Sequence, residues 1–570
     1  MALHERSNSS KNSAVCRKGL PIPVVSLFSG PGGLDLGFQE AGFETVLALD
    51  YSAVAVETFN KNLPPVAKTA DLAKASDKDV VDLVAATGKT PAGVIGGPPC
   101  QGFSLANVRQ LRVDPRRQLT FRFAELVGAL DAAFGIDFFL MENVAALSMP
   151  KQHRLFQRLR RKFESLGFTI YVTVANAWDF GVAQNRPRLF VTGIKRNLAR
   201  FAQFEFPKPT AATRPTVREV IGHLPAPIFF DRRLTPEMIP YHPNHWTMVP
   251  KSAKFREGLS KGGRSFKRLE WSGQSPAVAY GHRELHVHPT GTRRVSLLEA
   301  MLLQGFLESC TFAGNLSEQV TQVSDAVPPP LAAALAGSIH TALYERRATV
   351  QRILIDYYRA AGRTALPWRR TKDPFEILVA EKLLQQTAVR QGVVDAYQSL
   401  LERWPSPDAL ADAAVEEVRA MLQPLGLPYR ASELVTMSQV LVRQHQGIVP
   451  LTRRDLLALP GVGEYAANAV LSFTDRQETA VVDTNVSRLL RRLFGLEEAA
   501  PANPARSRTL YSLASWLIAG MPSKILNYAV LDLTAELCTA RKPRCQECAL
   551  RSFCVAVSAE PGGDPPRAYV

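Results

Sequence analysis

Through residues 23 to about 195, short strand-like runs alternate with helical stretches, and beyond residue 349 the strand-like runs almost vanish. The apolar runs "VVSLFSG", "TVLALD", "AGVIGG", "DFFLMENV", "YVTVANA" and "LFVTGI" have strand length. Helical patterns such as "GLDLGFQEAGF" and "HRLFQRLRRKFESLG" fall between them. That rhythm builds βαβ units, so the expected fold of this half is α/β and Rossmann-like, with an open, mostly parallel sheet. Residues 196–290 are rich in Pro, Gly, His and basic residues without long periodic helices, and read as an inserted recognition region. The pattern recovers in "VSLLEAMLLQGF" and in "VPPPLAAALAGSIHTALYE", a helix launched by prolines. From 349 onward, "VQRILIDYYRAAG", "PFEILVAEKLLQQTAVRQGVVDAYQSLLERW", "PDALADAAVEEVRAMLQPL" and "RASELVTMSQVLVRQH" read as successive helices of an all-α region. The expected organisation is a disordered tail at 1–22, an α/β domain at 23–345, an all-α domain at 349–556 and a tail at 557–570. The boundary falls near Arg346–Thr349, where the texture changes.

A chain of 570 residues with 46% hydrophobic content holds more than one core. Its formal charge of +16 favours a polyanionic partner, nucleic acid first. The apolar runs fall far short of the roughly 20 residues that a membrane span needs, and "MALHERSNSSKNSAVCRKG" lacks the apolar core of a signal peptide. A cytoplasmic protein without membrane partners is expected. Cys16, Cys100 and Cys310 stand alone, whereas Cys538, Cys545, Cys548 and Cys554 crowd into 17 residues. A reactive thiol plus a metal cluster fits that distribution better than a secreted disulfide framework.

"VVSLFSGPGGLDLGF" sets a glycine-rich turn between a strand and a helix, which lets backbone approach a cofactor closely. Alone, such a turn is as well explained by tight strand-to-helix geometry. Asp50 and Asp71, at the ends of the following strands, are placed to bind ribose hydroxyls and an adenine amine. In "GGPPCQGFS", Cys100 follows two prolines on a loop after a strand. "MENV" ends the next strand with Glu142, and "QNRPRLF" supplies Arg186 and Arg188 before another. A thiol, an acid and two guanidiniums at successive strand ends converge on one site.

With these motifs in order, residues 23–343 resemble the DNA cytosine-5 methyltransferases. The resemblance implies S-adenosylmethionine at Phe28, Ser29, Gly30, Gly32, Gly33, Asp50, Tyr51, Asp71 and Pro98, and a cytosine flipped from the duplex against Cys100 and Glu142. Cytosine C5 is a poor nucleophile, so a thiolate first adds at C6. Glu142 at N3 stabilises the resulting charge. Arg188 is expected on the base carbonyl and Arg186 on nearby backbone. The late motif "QVSDAVPPPLA" departs from the family, with Ser324-Asp325 where Gly-Asn is usual; Asp325 adds a negative charge near the cofactor and base. His286 and His288, in "RELHVHPTGTRR", are expected to be structural rather than metal ligands.

"CTARKPRCQECALRSFC" has the spacing C-x6-C-x2-C-x5-C, which on its own leaves zinc and an iron–sulfur cluster equally open. Context separates them. "LPWRR", "AEKLLQQTAV", "LGLPYRASEL", "LPGVGEYAANAV", "VVDTNVSRL" and the four cysteines resemble the helix-hairpin-helix DNA glycosylases of the endonuclease III and adenine glycosylase superfamily. In that superfamily this spacing holds a [4Fe-4S] cluster. The hairpin with Gly461 and Gly463 is expected to face a DNA phosphate, with Gln385 and Gln386 against DNA. Asp483, also suited to capping a helix, would stabilise the cation left on the sugar as the base departs. Glu381 reads as solvated from helical pattern alone, and only the motif moves it into a base pocket. Tyr465 stands where strand-cutting members carry a Schiff-base lysine, so base removal without strand cleavage is expected.

Tyr465 and Leu427 resemble the G·T mismatch thymine glycosylases of the superfamily, while "LLQQT" is closer to the adenine enzymes. Methylated cytosine deaminates to thymine, so a G·T glycosylase would repair the hazard created by the first half. Removal of adenine opposite oxidised guanine, removal of 5-methylcytosine itself, and a non-catalytic DNA-binding role stay open. Double-stranded DNA is the expected partner, bound as a monomer, with a cognate restriction endonuclease alongside.

Overall fold

The computed structural model describes residues 21–99, 118–209, 214–231, 233–251, 267–277, 285–385, 387, 389–426, 428–497 and 501–558. Cys16, Cys100, Gln386, Leu427 and both expected tails, apart from Pro21, Ile22, Val557 and Ser558, lie outside the described residues. The chain divides into two compact units. Met1–Leu166, Ile170–Gly193 and Pro207–Gly337 form one, and Gly167–Thr169, Ile194–Phe206 and Ser338–Val570 the other.

The first unit is built on strands β1 (Ile22–Leu27), β2 (Phe43–Asp50), β3 (Ala67–Thr69), β4 (Gly93–Gly96), β5 (Phe138–Val144), β6 (Phe168–Asn176), β7 (Gln184–Asn185) and β8 (Pro187–Lys195). Seven of them form one sheet in the order β3-β2-β1-β4-β5-β8-β6. The pairs β1–β2, β1–β4, β2–β3 and β4–β5 are parallel. Val24 to Leu27 and Phe138 to Met141 are unbroken buried runs, as a sheet covered on both faces requires.

Helices α1 (Gly33–Glu40), α2 (Ala53–Asn62), α3 (Asp77–Ala85), α4 (Gln118–Phe134) and α5 (His153–Ser165) connect the strands. Ser52 caps α2 and a Ser76–Asp79 capping box opens α3. Phe138 packs on Phe38 and Phe43, and Phe139 on Phe123 and Phe163. The order turns outward at β1 and β4, and the crevice beyond their carboxyl ends is where open α/β sheets place ligands.

The strand expected to end near Asp71 is β3, only three residues long and at the edge of the sheet. In the irregular region, His286 meets the Pro276 carbonyl at 3.1 Å and His288 the Thr290 hydroxyl at 2.9 Å. Burial pushes both down to about 4, so they remain neutral. After α6 (Leu297–Leu303) and α7 (Leu316–Asp325) comes α8 (Pro329–His340). Its helical backbone continues through a π turn at Thr341–Glu345 into α9 (Arg346–Ala361), crossing residues 346–349 without interruption.

The second unit is helical. The run expected as one helix over 374–404 is two, α10 (Pro374–Leu384) and α11 (Gln391–Arg403). The break has a cause. Arg430, 2% exposed, donates to the carbonyls of Lys382, Leu383 and Gln385, satisfying the end of α10 where it stops. Then follow α12 (Arg430–His445), α13 (Arg453–Ala458), α14 (Glu464–Phe473), α15 (Thr484–Phe494) and α16 (Ser523–Glu536). Leu378, Leu383, Leu400, Leu434, Leu441, Ala467 and Val470 belong to one buried core.

Candidate active sites

The first site is a cavity of ≈ 460 Å³ at the carboxyl ends of β1, β2, β4 and β5. It is lined by Phe28, Ser29, Gly30, Asp50, Tyr51, Asp71, Pro98, Glu142, Arg186, Arg188 and Asp325, among others. The turn after β1 is shaped by left-handed backbone, with φ of +54° at Phe28, +55° at Gly30 and +89° at Gly32. At Gly33 the constraint is space, since a Cβ would stand 2.3 Å from the Val327 carbonyl oxygen. The glycine lets the start of α1 press against the segment after α7.

Asp50 accepts from the amides of Gly30 and Ser52, both at 2.9 Å, which fixes its carboxylate at the cavity wall. Burial raises its pKa, and these amides oppose the rise. Tyr51 is 73% exposed, an aromatic face at the rim. Asp71 is exposed and pairs with Lys74 at 3.0 Å. The Ser29 hydroxyl is buried without a partner among the described residues. An oriented carboxylate, an orphaned hydroxyl and an open aromatic face suit a nucleoside-bearing cofactor, and the volume suits its size.

Glu142, at the end of β5, is 9% exposed and pairs with Arg188 Nε at 3.1 Å. Burial raises its carboxyl. The two guanidiniums, Arg188 and then Arg186, oppose the rise, and Asp325 adds to it. Arg186, 1% exposed, donates to the carbonyls of Ser324 and Ala326 and so clamps the backbone around Asp325. Gln304 donates to the Val323 and Ala326 carbonyls from the other side. Asn143 donates to the Pro98 carbonyl at 3.1 Å, tying the loop after β4 to the end of β5. Cys100, two residues further, lies outside the described residues.

In the second unit, Leu459–Gly463 forms the expected hairpin. Val462 donates to the Leu459 carbonyl, and Gly461 takes φ of +68°. No side chain caps α14, so the first-turn amides remain for an anion. Glu381, expected from pattern alone to be solvated, is 5% exposed. Burial chiefly, with Asp483 adding, raises its pKa to about 7, against the Arg369 charge and a hydrogen bond with Tyr465. Its Oε2 is buried without a partner among the described residues.

Burial and the nearby Glu381 and Asp483 hold the Tyr465 phenol well above its usual range. Asp483 caps α15, accepting from the Val486 amide at 2.6 Å and from Asn485 Nδ2 at 3.0 Å. The cap and a catalytic role are compatible, since a cap leaves carboxylate lone pairs available. Glu381, Tyr465 and Asp483 thus share one electrostatic neighbourhood. Gln385 is partly buried just past α10.

Two residues that pattern reading passed over, Arg369 and Lys382, support this site. Arg369 makes a two-pronged contact with Asp532, 2.7 Å on each side, and stacks 4.3 Å over Tyr528. Lys382 is fully buried and directs its amine to the Gly461 carbonyl at 3.1 Å and to Glu433 at 2.5 Å. Only the "LPWRR" and "AEKLLQQTAV" motifs hinted at these positions, and nothing local marks a lysine as buried.

Cys538, Cys545, Cys548 and Cys554 line a small apolar cavity with Leu489, Leu493, Leu537, Leu550 and Val557. Among the described residues, no three His, Cys, Asp or Glu side chains come together as they would around one metal ion. Arg492 donates to Cys538 Sγ at 3.3 Å, and Arg488 joins the Cys538 carbonyl to Asn485, the partner of Asp483.

Comparison with known proteins assigns three segments of the chain to families. Residues 22–341 match the C-5 cytosine-specific DNA methylase family, 379–512 the HhH-GPD superfamily of base excision DNA repair proteins, and 538–554 the iron-sulfur binding domain of endonuclease III. A thymine/uracil-DNA glycosylase of Pyrobaculum aerophilum is 42% identical over 206 residues, 35% of this chain and 89% of that relative. The type II methyltransferase M.NgoPII of Neisseria gonorrhoeae is 30% identical over 352 residues, 57% of this chain and 96% of that relative. An adenine DNA glycosylase of Mycolicibacterium smegmatis is 39% identical over 198 residues, 35% of this chain and 66% of that relative.

Proposed function

The chain belongs to the C-5 cytosine-specific DNA methylase family and carries a helix-hairpin-helix glycosylase domain with an iron–sulfur motif behind it; from this premise we propose that it methylates cytosine C5 in duplex DNA and removes thymine or uracil paired with guanine. The Cys100 thiolate adds to C6 of the flipped cytosine, and Glu142, kept able to hold a proton by burial, donates to N3. Arg188 orients both Glu142 and the base, and Arg186 holds the Ser324–Ala326 backbone in place. Bound S-adenosylmethionine would supply the methyl group to C5, after which loss of the C5 proton breaks the C6–S bond and releases the Cys100 thiolate. Phe28 to Gly33, Asp50, Tyr51, Asp71 and Pro98 hold the cofactor.

In the second unit, the base enters beside Glu381, whose unpartnered Oε2 faces it, and Asp483 stabilises the sugar cation. The observation that carries the reading is Tyr465 packed against the core of the second unit, where strand-cutting members of the superfamily carry a Schiff-base lysine. The nearby Lys382 amine is committed to the hairpin. Base release therefore leaves an intact abasic strand. The likeness to thymine- and thymine/uracil-DNA glycosylases supports the choice of base. The four cysteines hold a [4Fe-4S] cluster that fixes the loop after α16.

The test incubates the protein with duplexes carrying G·T, G·U, adenine opposite oxidised guanine, or methylated G·C. Thymine and uracil release without strand cleavage is expected. Release of adenine or 5-methylcytosine alone overturns the substrate reading, and strand cleavage without added base overturns the reading of Tyr465.

A further inference from the structure

Helix α5, "HRLFQRLRRKFES", is sharply two-sided. Phe156, Leu159 and Phe163 are buried, with Phe163 stacked on Phe139 at 4.2 Å. Arg154, Arg158, Arg160, Arg161 and Lys162 are exposed, and exposed Lys151 precedes them. The one acid in this stretch, Glu164, pairs with Arg160 at 2.8 Å. Among the described residues no carboxylate lies within ion-pair distance of Arg154, Arg158, Arg161 or Lys162. Elsewhere in the unit, exposed helix lysines do find partners, Lys61 with Glu57 and Lys78 with Asp82.

The arrangement works against the helix in isolation. Arg158 stands four residues from Arg154 and from Lys162 and three from Arg161, the helical spacings at which like charges repel. Arg154 also occupies the first turn, at the positive end of the helix dipole. A polyanion along this face relieves both conflicts. Its position suits one particular polyanion. α5 begins two short turns after β5, the strand that carries Glu142, so its first turn, with Arg154, follows the carboxyl end of that strand. From Arg154 to Lys162 the stripe extends about 12 Å along the helix, over which one strand of a duplex offers three or four phosphates.

We propose that the outer face of α5 is a sequence-independent track for the phosphate backbone of duplex DNA flanking the methylation site. The proposal rests on the methyltransferase reading of the first unit. The side chains hold phosphate and read no base, so they set affinity, salt dependence and retention on long DNA rather than the sequence methylated.

The experiment compares the full chain with its R154Q/R158Q/R161Q/K162Q variant on a 30-base-pair duplex of A·T pairs only. That probe has no cytosine and no mismatch, so neither catalytic reading bears on it. The slope of log affinity against log salt concentration is expected to fall by about 2 to 4, at ~0.9 for each phosphate that the variant leaves unneutralised. Low-salt affinity drops at least tenfold, and methyl transfer to plasmid DNA keeps its kcat with a raised KM. A K61Q/K78Q/K89Q control leaves the slope unchanged. An unchanged slope in the fourfold variant overturns the track, as does a loss confined to RNA or to anionic vesicles. R158Q/K162Q, with half the loss, serves if the fourfold variant melts early. Absence of methyl transfer by the parent protein defeats the methyltransferase reading alone.

Discussion

Glu142 in the first unit and Glu381 in the second are both buried carboxyls whose burial favours the protonated form, yet their surroundings differ. Glu142 faces two guanidiniums, one in direct contact, which orient it and pull it back toward ionisation. Each has a second carboxylate nearby, Asp325 for Glu142 and Asp483 for Glu381, but Glu381 sits with a phenol, and the cation that opposes its rise, Arg369, is largely engaged by Asp532. On the proposed reading, the two sites therefore favour a protonated carboxyl in different ways. The first unit balances charge within a clamp, whereas the second lets desolvation dominate. The second should consequently respond to pH near neutrality.

The largest test separates the sites outright. Cys100→Ser should remove methyl transfer by about 10⁴-fold or more while base release continues. Asp483→Asn should cut base release by about 10²–10⁴-fold while methyl transfer continues. A filter assay with labelled cofactor and a base-release assay on one preparation read both. Loss of both activities in either variant would break the comparison.

The second test concerns proton affinity. Because folding raises the Glu381 pKa from 4.5 to about 7, the folded protein holds an extra proton between those values. The associated stabilisation is complete below 4.5 and is lost as pH rises through about 7. Glu381→Gln should therefore flatten the melting temperature across pH 5 to 9. It should also remove the fall in single-turnover base release above pH 7. A fall that persists in the variant would place the proton elsewhere.

A smaller effect is expected at Lys382. Lys382→Met should weaken binding to a duplex carrying an abasic analogue by about tenfold, the scale of one charge-assisted contact. Lys382→Arg should recover part of the loss, with single-turnover base release at saturating enzyme changing less than affinity. Equal losses in both would make Lys382 merely a packing residue. Smallest is Asp325→Asn. It removes a charge that raises Glu142, so the alkaline limb of methyl transfer should move to lower pH in a pH–rate profile, leaving base release unaffected.

Much of this fold was legible because its signals are local. The strands of the first unit are apolar runs bounded by Gly and Pro, and the hairpin glycines and clustered cysteines carry their own spacing. What escaped depended on distant partners. The end of α10 is set by Arg430, 45 residues beyond Gln385, so nothing within "EKLLQQTAV" shows where the helix stops. The burial of Glu381 and Lys382 follows from the packing of α10 against α12 and α14, which a helical pattern does not disclose. Asp325 was visible as a departure from the Gly-Asn pair, but its influence on Glu142 required the folded cavity.

The close approach of Gly33 to Val327 also has a meaning for synthesis on the ribosome. The turn after β1 emerges well before its packing partner, which follows nearly 300 residues later. Arg186 likewise waits for the Ser324 and Ala326 carbonyls. The first unit therefore cannot finish its cavity until the chain has been extended past α7. A shortened chain ending before Val327 would leave the earliest glycine turn without the backbone it is shaped to meet, and with long-range closure still outstanding.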